Sequence, residues 1–203
     1  MAAEAEQERG ARAIPETWMN RLPDGWTDDQ VKDLELPVEG ELLDGNIAVR
    51  EMAVGWHNRL RNQRYLQLQS VRREPFAVDC GQCVVIDDRN APHSDVTVFD
   101  RTGLDVRTVE QIPVDKAVLA VKVVSEGSRL AGHFAEPALY AEAGIASYWR
   151  IERDENGLPV VHEFRLHPES PVYTSPDRRI HTDKPVTNVP FPVDIGLRDL
   201  TEA

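Results

Sequence analysis

In the first third of the chain, the spacing of apolar and polar residues predicts a short helix, a hairpin and one long helix. Thr27 is followed by acidic residues, which is typical of a helix N-terminus, because its hydroxyl caps free N–H groups and acids favour the positive end of the helix dipole. The segment EGELLDGNIAV predicts two strands joined at Asp44-Gly45, a pair typical of hairpin turns. From residue 52 to about residue 69 apolar residues, among them Leu60, recur at spacings of three and four, which predicts a helix.

In most of the remaining chain, apolar and polar residues alternate as is typical of β-strands. VRREPFAV, CVVIDD and DVTVFD predict three strands, and ASYWRIE and PVVHEFRL predict two more about Asn156-Gly157. AVLAVKVVS is apolar on both faces, which is typical of a central strand. An apolar stripe over 130–143 predicts a second helix that Gly144 ends, and VPFPVDI predicts edge strands. We therefore expect an α/β domain with one mixed β-sheet flanked by helices.

Length and composition exclude several classes of protein. A chain of 203 residues can bury a proper core within one domain. It has no run of about 18 apolar residues, so we expect no membrane span. Its polar beginning has no apolar signal region, which predicts a cytoplasmic protein. We expect residues 1–26 to form a poorly ordered acidic tail and residues 27–203 to form the domain.

The net charge of −12 argues against a protein that coats nucleic acid by bulk charge, because phosphate binding relies on Lys and Arg. A local basic face is still compatible with it, since arginines cluster around the first long helix. They are Arg50, Arg59, Arg61, Arg64, Arg72 and Arg73. Arginine suits bidentate phosphate contacts, so a face with Arg59, Arg61 and Arg64 is the candidate DNA contact, and a solvated helix surface is the alternative.

Lys122 is the residue that does not fit its surroundings, because it lies in the middle of AVLAVKVVS. A buried ammonium is costly unless a carboxylate is close, so we expect an acid near it. Asp95 opens another apolar strand, and Glu136 lies in the helix downstream. Charged residues of strands and helices commonly meet at one edge of a sheet, where sites form. The alternative is a lysine whose stem reaches water at a strand end.

The order of these features resembles the Uma-two family of restriction endonucleases, which belongs to the PD-(D/E)XK nuclease superfamily. The matching segments are GELLDG, the helix with His57, EPFAVDCGQCVVIDDRNAPHSDVTVFD, VLAVKVVSEGS and LYAEAGIASYWRIE. The resemblance covers roughly residues 27–200. It implies a restriction-endonuclease-like core, in which acidic residues hold a divalent metal beside a lysine.

The resemblance also assigns site residues, with an exchange of charge at two of them. The Glu of the family's hairpin falls on Glu41, and the Asp of its Pro-Asp pair falls on Asp95. The Glu of the family's central strand falls on Lys122, whereas the Lys of its helix falls on Glu136. The implied site therefore still contains two or three carboxylates and one ammonium.

On the first interpretation the protein is a metal-dependent DNA endonuclease. Asp95, Glu136 and Glu41 would hold Mg²⁺ or Mn²⁺, and Lys122 would orient the attacking water or neutralise charge on the phosphate. Nucleases that cut both strands often act as pairs of sites, which makes a homodimer an expectation of this interpretation.

On the second interpretation the site is degenerate and the protein is a nucleic-acid-binding or protein-interaction module. A lysine in a ligand position repels a metal, and the exchange could have settled as a structural ion pair between Lys122 and Glu136. The family's Asp is also replaced, by Gly132. The sequence leaves open whether the protein is an enzyme.

Two cysteines and a histidine have simpler explanations. Cys80 and Cys83 form a CxxC pair, which we interpret as structural thiols beside a turn, because redox activity needs an acidic thiolate. His57 matches a histidine of the family, but a single histidine on a helix more often packs than binds. His93 lies two residues before Asp95 and is a weaker candidate for the same site.

Overall fold

The structure is a computed structural model that describes residues 22–34, 36–50, 55–124, 135–175, 180–183, 186–194 and 196–197. The chain divides into two compact units. Unit 1 comprises Met1–Arg50 and Asp87–Pro92, and unit 2 comprises Glu51–Ile86 and His93–Ala203. Positions 1–21 of the expected tail lie outside the described residues, and the boundary between residues 26 and 27 stays a prediction.

Unit 1 contains a short helix, α1 (Asp28–Lys32), and a hairpin of β1 (Gly40–Leu43) and β2 (Asn46–Val49). The predicted cap is present, because the Gln30 N–H donates to Thr27 Oγ1 and the Thr27 N–H donates to Gln30 Oε1. These two bonds satisfy donors that a helix of five residues leaves free at its start.

The turn between β1 and β2 needs its glycine. Asp44 and Gly45 both have positive φ, 48° and 68°, which matches the predicted hairpin turn. A Cβ on Gly45 would lie 3.0 Å from the Cα of Gly25, so the two glycines approach more closely than side chains allow. The Trp26 N–H donates to the Gly45 carbonyl over 2.7 Å and so ties the chain before α1 to this turn.

Unit 2 contains the main sheet, two helices and several short strands. Its helices are α2 (Gly55–Val71) and α3 (Glu136–Glu142). Its strands are β3 (Phe76–Cys80), β4 (Val84–Val85), β5 (Val96–Asp100), β6 (Ile112–Pro113), β7 (Ala117–Val123), β8 (Ser147–Arg153), β9 (Pro159–Leu166), β10 (Tyr173–Thr174), β11 (Ile180–His181), β12 (Val186–Thr187) and β13 (Val193–Asp194). The predicted second helix is present from residue 136, and its positions 130–134 lie outside the described residues.

The main sheet confirms the predicted mixed architecture. Its strand order is β10-β9-β8-β7-β5-β3, with β11 also paired to β9. Strands β7 and β8 run parallel and the other neighbours antiparallel. The strand that was expected to be central, β7, lies inside the sheet and is buried along almost its whole length. Two small pairs, β4 with β6 and β12 with β13, complete the strands of the described residues.

Side chains on β7 and β8 alternate between two apolar clusters, as the pleat of a strand requires. Val121 and Trp149 belong to the cluster that also contains Leu60 and Leu68 of α2. Ala120 and Tyr148 belong to the other cluster, to which α3 contributes Tyr140. Lys122 is therefore on the α3 side of the sheet.

Arg64 is not part of an exposed arginine face, and this part of the DNA-contact prediction is wrong. The helical period places it on the buried stripe of α2 with His57, Leu60 and Leu68. It is fully buried, and its guanidinium nitrogens have no hydrogen-bond partner among the residues that the structure describes. Burial lowers the pKa of Arg64 to about 10. Arg59, by contrast, is exposed, and Arg61 is partly exposed.

A buried carboxylate, that of Glu163, connects the three strands β9, β11 and β12. Glu163 of β9 accepts hydrogen bonds from Arg165 and from Thr187 of β12, and lies 3.2 Å from Nε2 of His181 in β11. Burial by itself would raise the pKa of Glu163, but these donors outweigh it and lower the pKa. The carboxylate is therefore held as an anion.

Across the described residues, no helix combines the length and the hydropathy that crossing a bilayer demands.

Candidate functional site

Four charged or titratable side chains meet near the end of β7. Asp95 directly precedes β5, and its N–H donates to the carbonyl of Val121, which brings the start of β5 beside the end of β7. Lys122 lies near the end of β7, and Glu136 begins α3. His57 lies in the first turn of α2. We call His57, Asp95, Lys122 and Glu136 the charge cluster; all four are buried.

The carboxylate that a buried Lys122 requires is that of Glu136. The ammonium Nζ forms an ion pair with Glu136 Oε1 at 2.7 Å and donates a hydrogen bond of 3.1 Å to the carbonyl of His93. The residue exposes only 6% of its surface, so the alternative of a lysine that reaches water is wrong. His93 thus contacts the cluster through its backbone, whereas its ring binds the carbonyl of Gly81.

Asp95 is held by groups from two different elements. His57 Nε2 lies 3.2 Å from Oδ1, and the Val123 N–H donates to Oδ2 over 2.7 Å. Burial alone would raise the pKa of Asp95, but the hydrogen bond from His57, the charge of Lys122 and the Val123 N–H together lower it. Asp95 is therefore a carboxylate at neutral pH.

Tyr148 lies near the cluster, and its hydroxyl stays protonated at neutral pH. Its burial and the negative charge of Glu136 raise the pKa of its hydroxyl well above the usual value of 10. The ring packs against Tyr140, Phe164 and Tyr173, with centroids 5.7 to 6.1 Å apart. Tyr148 therefore belongs to the core.

Glu41, the remaining predicted site residue, lies in β1 of unit 1, opposite Ala48 of β2. It is largely buried. Its participation in the site stays a prediction.

The donors in the charge cluster suit magnesium better than zinc. A closed zinc site needs four ligands, and within the described ranges no group of three or more His, Cys, Asp and Glu side chains could hold a metal. Mg²⁺ is usually bound by one or two carboxylates, with waters and substrate phosphates completing its shell. The carboxylates of Asp95 and Glu136 flank the same ammonium and provide hard oxygen donors of this kind. Two such carboxylates are compatible in chemistry with a Mg²⁺ or Mn²⁺ ion, which would need waters or substrate oxygens to complete its shell.

The CxxC segment supports the start of β5. Cys80 and Cys83 are both free thiols, and burial raises the pKa of Cys80. Between them, the Gly81 N–H donates to the carbonyl of Asp95 over 3.2 Å, and His93 pairs with Cys83 across an isolated bridge. A raised pKa disfavours a reactive thiolate, which agrees with the structural interpretation of these cysteines.

His57 is the site residue whose contact the sequence did not reveal. Its spacing of three from Leu60, and of seven from Arg64, places it on the buried stripe of α2. A buried histidine needs a polar partner, and that requirement was the available signal. The identity of the partner, Asp95, depends on a contact between residues 38 positions apart.

Comparison with known proteins identifies one family and one similar fold. A family model described as "Uma2: Putative restriction endonuclease" matches residues 29–185. No curated protein matches the chain. A crystal structure described as a "putative nuclease belonging to DUF820" from Anabaena variabilis superposes with a TM-score of 0.63 at 18% identity, over 86% of this chain and 96% of that chain. NucC of E. coli MS115-1, in its apo form, gives a TM-score of 0.33 at 15% identity, over 58% and 54%. The first of these structures shows a shared fold.

Proposed function

The chain belongs to the Uma2 family, which is described as "Putative restriction endonuclease". We therefore propose that it is a metal-dependent endonuclease that hydrolyses phosphodiester bonds in DNA. One observation carries the proposal: Asp95, Lys122 and Glu136 come together in one buried cluster beside the end of β7. The resemblance described above implies that the strand of the family provides the acid and its helix the lysine, so that the two are exchanged here. The side chains of Lys122 and Glu136 lie 2.7 Å apart.

Asp95 and Glu136 are the residues that would hold Mg²⁺ or Mn²⁺, with Glu41 as a further candidate. When bound, such an ion supplies positive charge beside the phosphodiester and a more acidic water. Asp95 is suited to this task because it stays ionised although it is buried. Lys122 lies between two buried acceptors, and we propose that its charge stabilises the negative charge that grows on phosphate oxygens.

Contacts to the DNA backbone are proposed for Arg59 and Arg61 of α2. Arg59 is exposed, and the Nε of Arg61 donates to its neighbour Asn62, so both guanidinium groups are near solvent. If each contacts one phosphate, Arg59→Gln and Arg61→Gln each weaken binding and reduce the slope of log affinity against log salt by about 1. Arg64→Gln is not expected to change that slope, because the side chain is buried.

The nuclease proposal is tested by nicking of supercoiled plasmid in the presence of Mg²⁺ or Mn²⁺. We expect Asp95→Asn to reduce the rate by about 100-fold or more, since it removes charge where the reaction develops it. Asp100→Asn is the matched control, because Asp100 lies at the opposite end of β5 and caps a turn at Thr102. Cleavage that does not depend on Asp95, together with no metal binding in calorimetry, would refute the proposal.

A catalytically inactive member of the family is the second candidate function. The burial of the Lys122–Glu136 ion pair favours it, because an ion pair to Glu136 and a hydrogen bond to the His93 carbonyl already engage the ammonium. Such a protein would use the same fold to bind nucleic acid or a protein partner.

The double variant Lys122→Glu with Glu136→Lys separates the two candidates. It restores the family arrangement while preserving the charges of the cluster. Nicking by the wild type supports the enzyme, and nicking by the double variant alone supports an inactive descendant. Two expectations stay predictions, a homodimer and a cytoplasmic location. Sedimentation would show a homodimer as twice the 22.9 kDa of one chain.

A further inference from the structure

We propose that Arg153 contacts a backbone phosphate of bound DNA, and that the ring of Trp56 is a positioning group that holds its guanidinium. This inference deepens the proposed function and rests on it, because the partner is the same DNA that Arg59 and Arg61 are proposed to contact. It adds a contact from the sheet to the contacts proposed from α2.

Arg153 lies at the same edge of the sheet as the charge cluster. Strands β7 and β8 run parallel, with Lys122 of the cluster opposite Arg150 and Val123 opposite Ile151. Strand β8 continues past the last paired residue of β7 and ends at Arg153. Three residues of a strand span about 10 Å, so the backbone of Arg153 lies about 10 Å beyond that of Arg150.

The start of α2 holds the Arg153 side chain on one face of the sheet. Trp149 and Ile151 of β8 belong to the apolar cluster that contains the buried stripe of α2, and Arg153 is two positions further along the same face. The guanidinium carbon of Arg153 lies 4.2 Å from the centre of the Trp56 ring. Trp56 is itself partly buried against that cluster. The core thus fixes the ring, and the guanidinium lies over it.

The partner of Arg153 differs in charge from the partners of other arginines in or beside the sheet. Those arginines form ion pairs with carboxylates: Arg101 with Glu74, Arg150 with Glu152 and Arg165 with Glu163. Arg153 is exposed, and its guanidinium contacts a neutral ring. A ring face attracts the positive charge without cancelling it, and the N–H donors lie in the guanidinium plane. Arg153 therefore presents a charge and a planar set of donors, which suit a bidentate contact with phosphate.

Arg59 provides a second cation next to Trp56. It is exposed and lies three residues after Trp56, which makes the two residues neighbours on the surface of α2. Asp154, the acid that follows Arg153, is engaged in a turn, where its Oδ1 accepts from the N–H groups of Asn156 and Leu158. The ring of Trp56 thus has one arginine over its face and another about one turn along the same helix. Arginines grouped in this way are typical of surfaces that bind a phosphate backbone.

The test measures binding of a fluorescein-labelled DNA duplex to the full chain by anisotropy, at several salt concentrations and without divalent metal. Loss of one phosphate contact lowers the slope of log affinity against log salt by about 0.9, which corresponds to about 8-fold in affinity at 0.1 M salt. We expect both changes in Arg153→Gln. Arg107→Gln is the matched control, because it removes the same charge at an exposed position in the connection between β5 and β6, and it should leave the slope unchanged.

The role of Trp56 is tested by a double-mutant cycle. Trp56→Leu removes the ring but not the charge of Arg153, so we expect affinity to fall by about 2- to 5-fold at an unchanged slope. Trp56→Phe keeps a ring under the guanidinium and should stay within about 2-fold of wild type. In the Arg153→Gln background Trp56→Leu should cause no further loss, because the ring acts through the arginine.

Each outcome supports or overturns the inference. Salt-dependent binding by the wild type, with an unchanged slope in Arg153→Gln, overturns the phosphate contact and leaves the proposed function standing. A loss in Trp56→Leu that persists in the Arg153→Gln background overturns the positioning role of the ring. Absence of DNA binding by the wild type refutes the DNA substrate of the proposed function, and the contact of Arg153 falls with it.

Discussion

Replacement of Arg64 by methionine should make the protein more stable. The guanidinium is completely buried on the core stripe of α2, and no acceptor among the described residues bonds to it. Burial of a charge without a partner costs free energy, whereas burial of an apolar side chain of similar length does not. Arg64→Met keeps much of the packing while removing the charge.

The size of the effect follows from the difference between the ordinary pKa of an arginine and the value of about 10 to which burial lowers the pKa of Arg64. That difference corresponds to about 3 kcal/mol against the charged form in the folded state. Methionine does not fill all the space of a guanidinium, and the loss of packing costs about 1 kcal/mol. The expected net gain in the free energy of unfolding is thus about 2 kcal/mol.

Urea unfolding followed by far-UV circular dichroism measures this gain. With a slope of about 2 kcal/mol per molar urea, the midpoint should rise by about 1 M at constant slope. The gain should not change between about pH 6 and pH 8, because a pKa of about 10 keeps Arg64 charged throughout. Arg59→Met is the matched control at an exposed position of the same helix and should change stability by less than about 0.5 kcal/mol. A lower midpoint in Arg64→Met would show that the guanidinium is satisfied, and would refute the reasoning.

Three further predictions concern other charges and one turn. Lys122→Met should lower the free energy of unfolding in urea by about 3 to 5 kcal/mol, because it removes the cation that lies 2.7 Å from the buried Glu136 carboxylate; an unchanged midpoint would contradict this. The lowered pKa of Glu163 means that its contribution to stability is present above its ordinary pKa of 4.5 and is lost as pH falls through the lower folded value. Thermal unfolding should therefore show that Glu163→Gln loses less stability than the wild type between about pH 5 and pH 3, and parallel curves would count against the bonded anion. Gly45→Ala should destabilise unit 1 by about 2 kcal/mol, since φ is +68° and the new Cβ would lie 3.0 Å from Gly25. Hydrogen exchange at the Trp26 N–H, which bonds to Gly45, should become faster, and an unchanged rate would exclude strain at this turn.

Local patterns were sufficient for most of the fold. The Thr27 cap, the Asp44-Gly45 turn and the strands on both sides of Asn156-Gly157 depend on neighbouring residues, and the structure contains each of them. The central position of β7 could also be predicted, because a strand buried on both faces must be apolar on both.

Local patterns failed where two different roles have the same sequence signal. Arg64 lies among other arginines in the sequence, and this clustering predicts an exposed arginine face that includes it. Its burial depends on which face of α2 packs against the sheet, and composition does not show this. Similarly, His57 on a helix has the same appearance whether it packs or bonds, and the aspartate that it contacts comes from a distant strand.

The sequence by itself determined the elements, the mixed sheet and the need for an acid beside Lys122, because propensity, alternation and the cost of a buried charge are local properties. Only the tertiary structure decided which acid meets that lysine, that Asp95 is held from α2 and from β7, and that Arg64 points inward. Side-chain contacts between elements depend on register and on helix rotation. Both are set by the packing of the whole unit, since a shift of one residue turns a side chain to the other face of a strand.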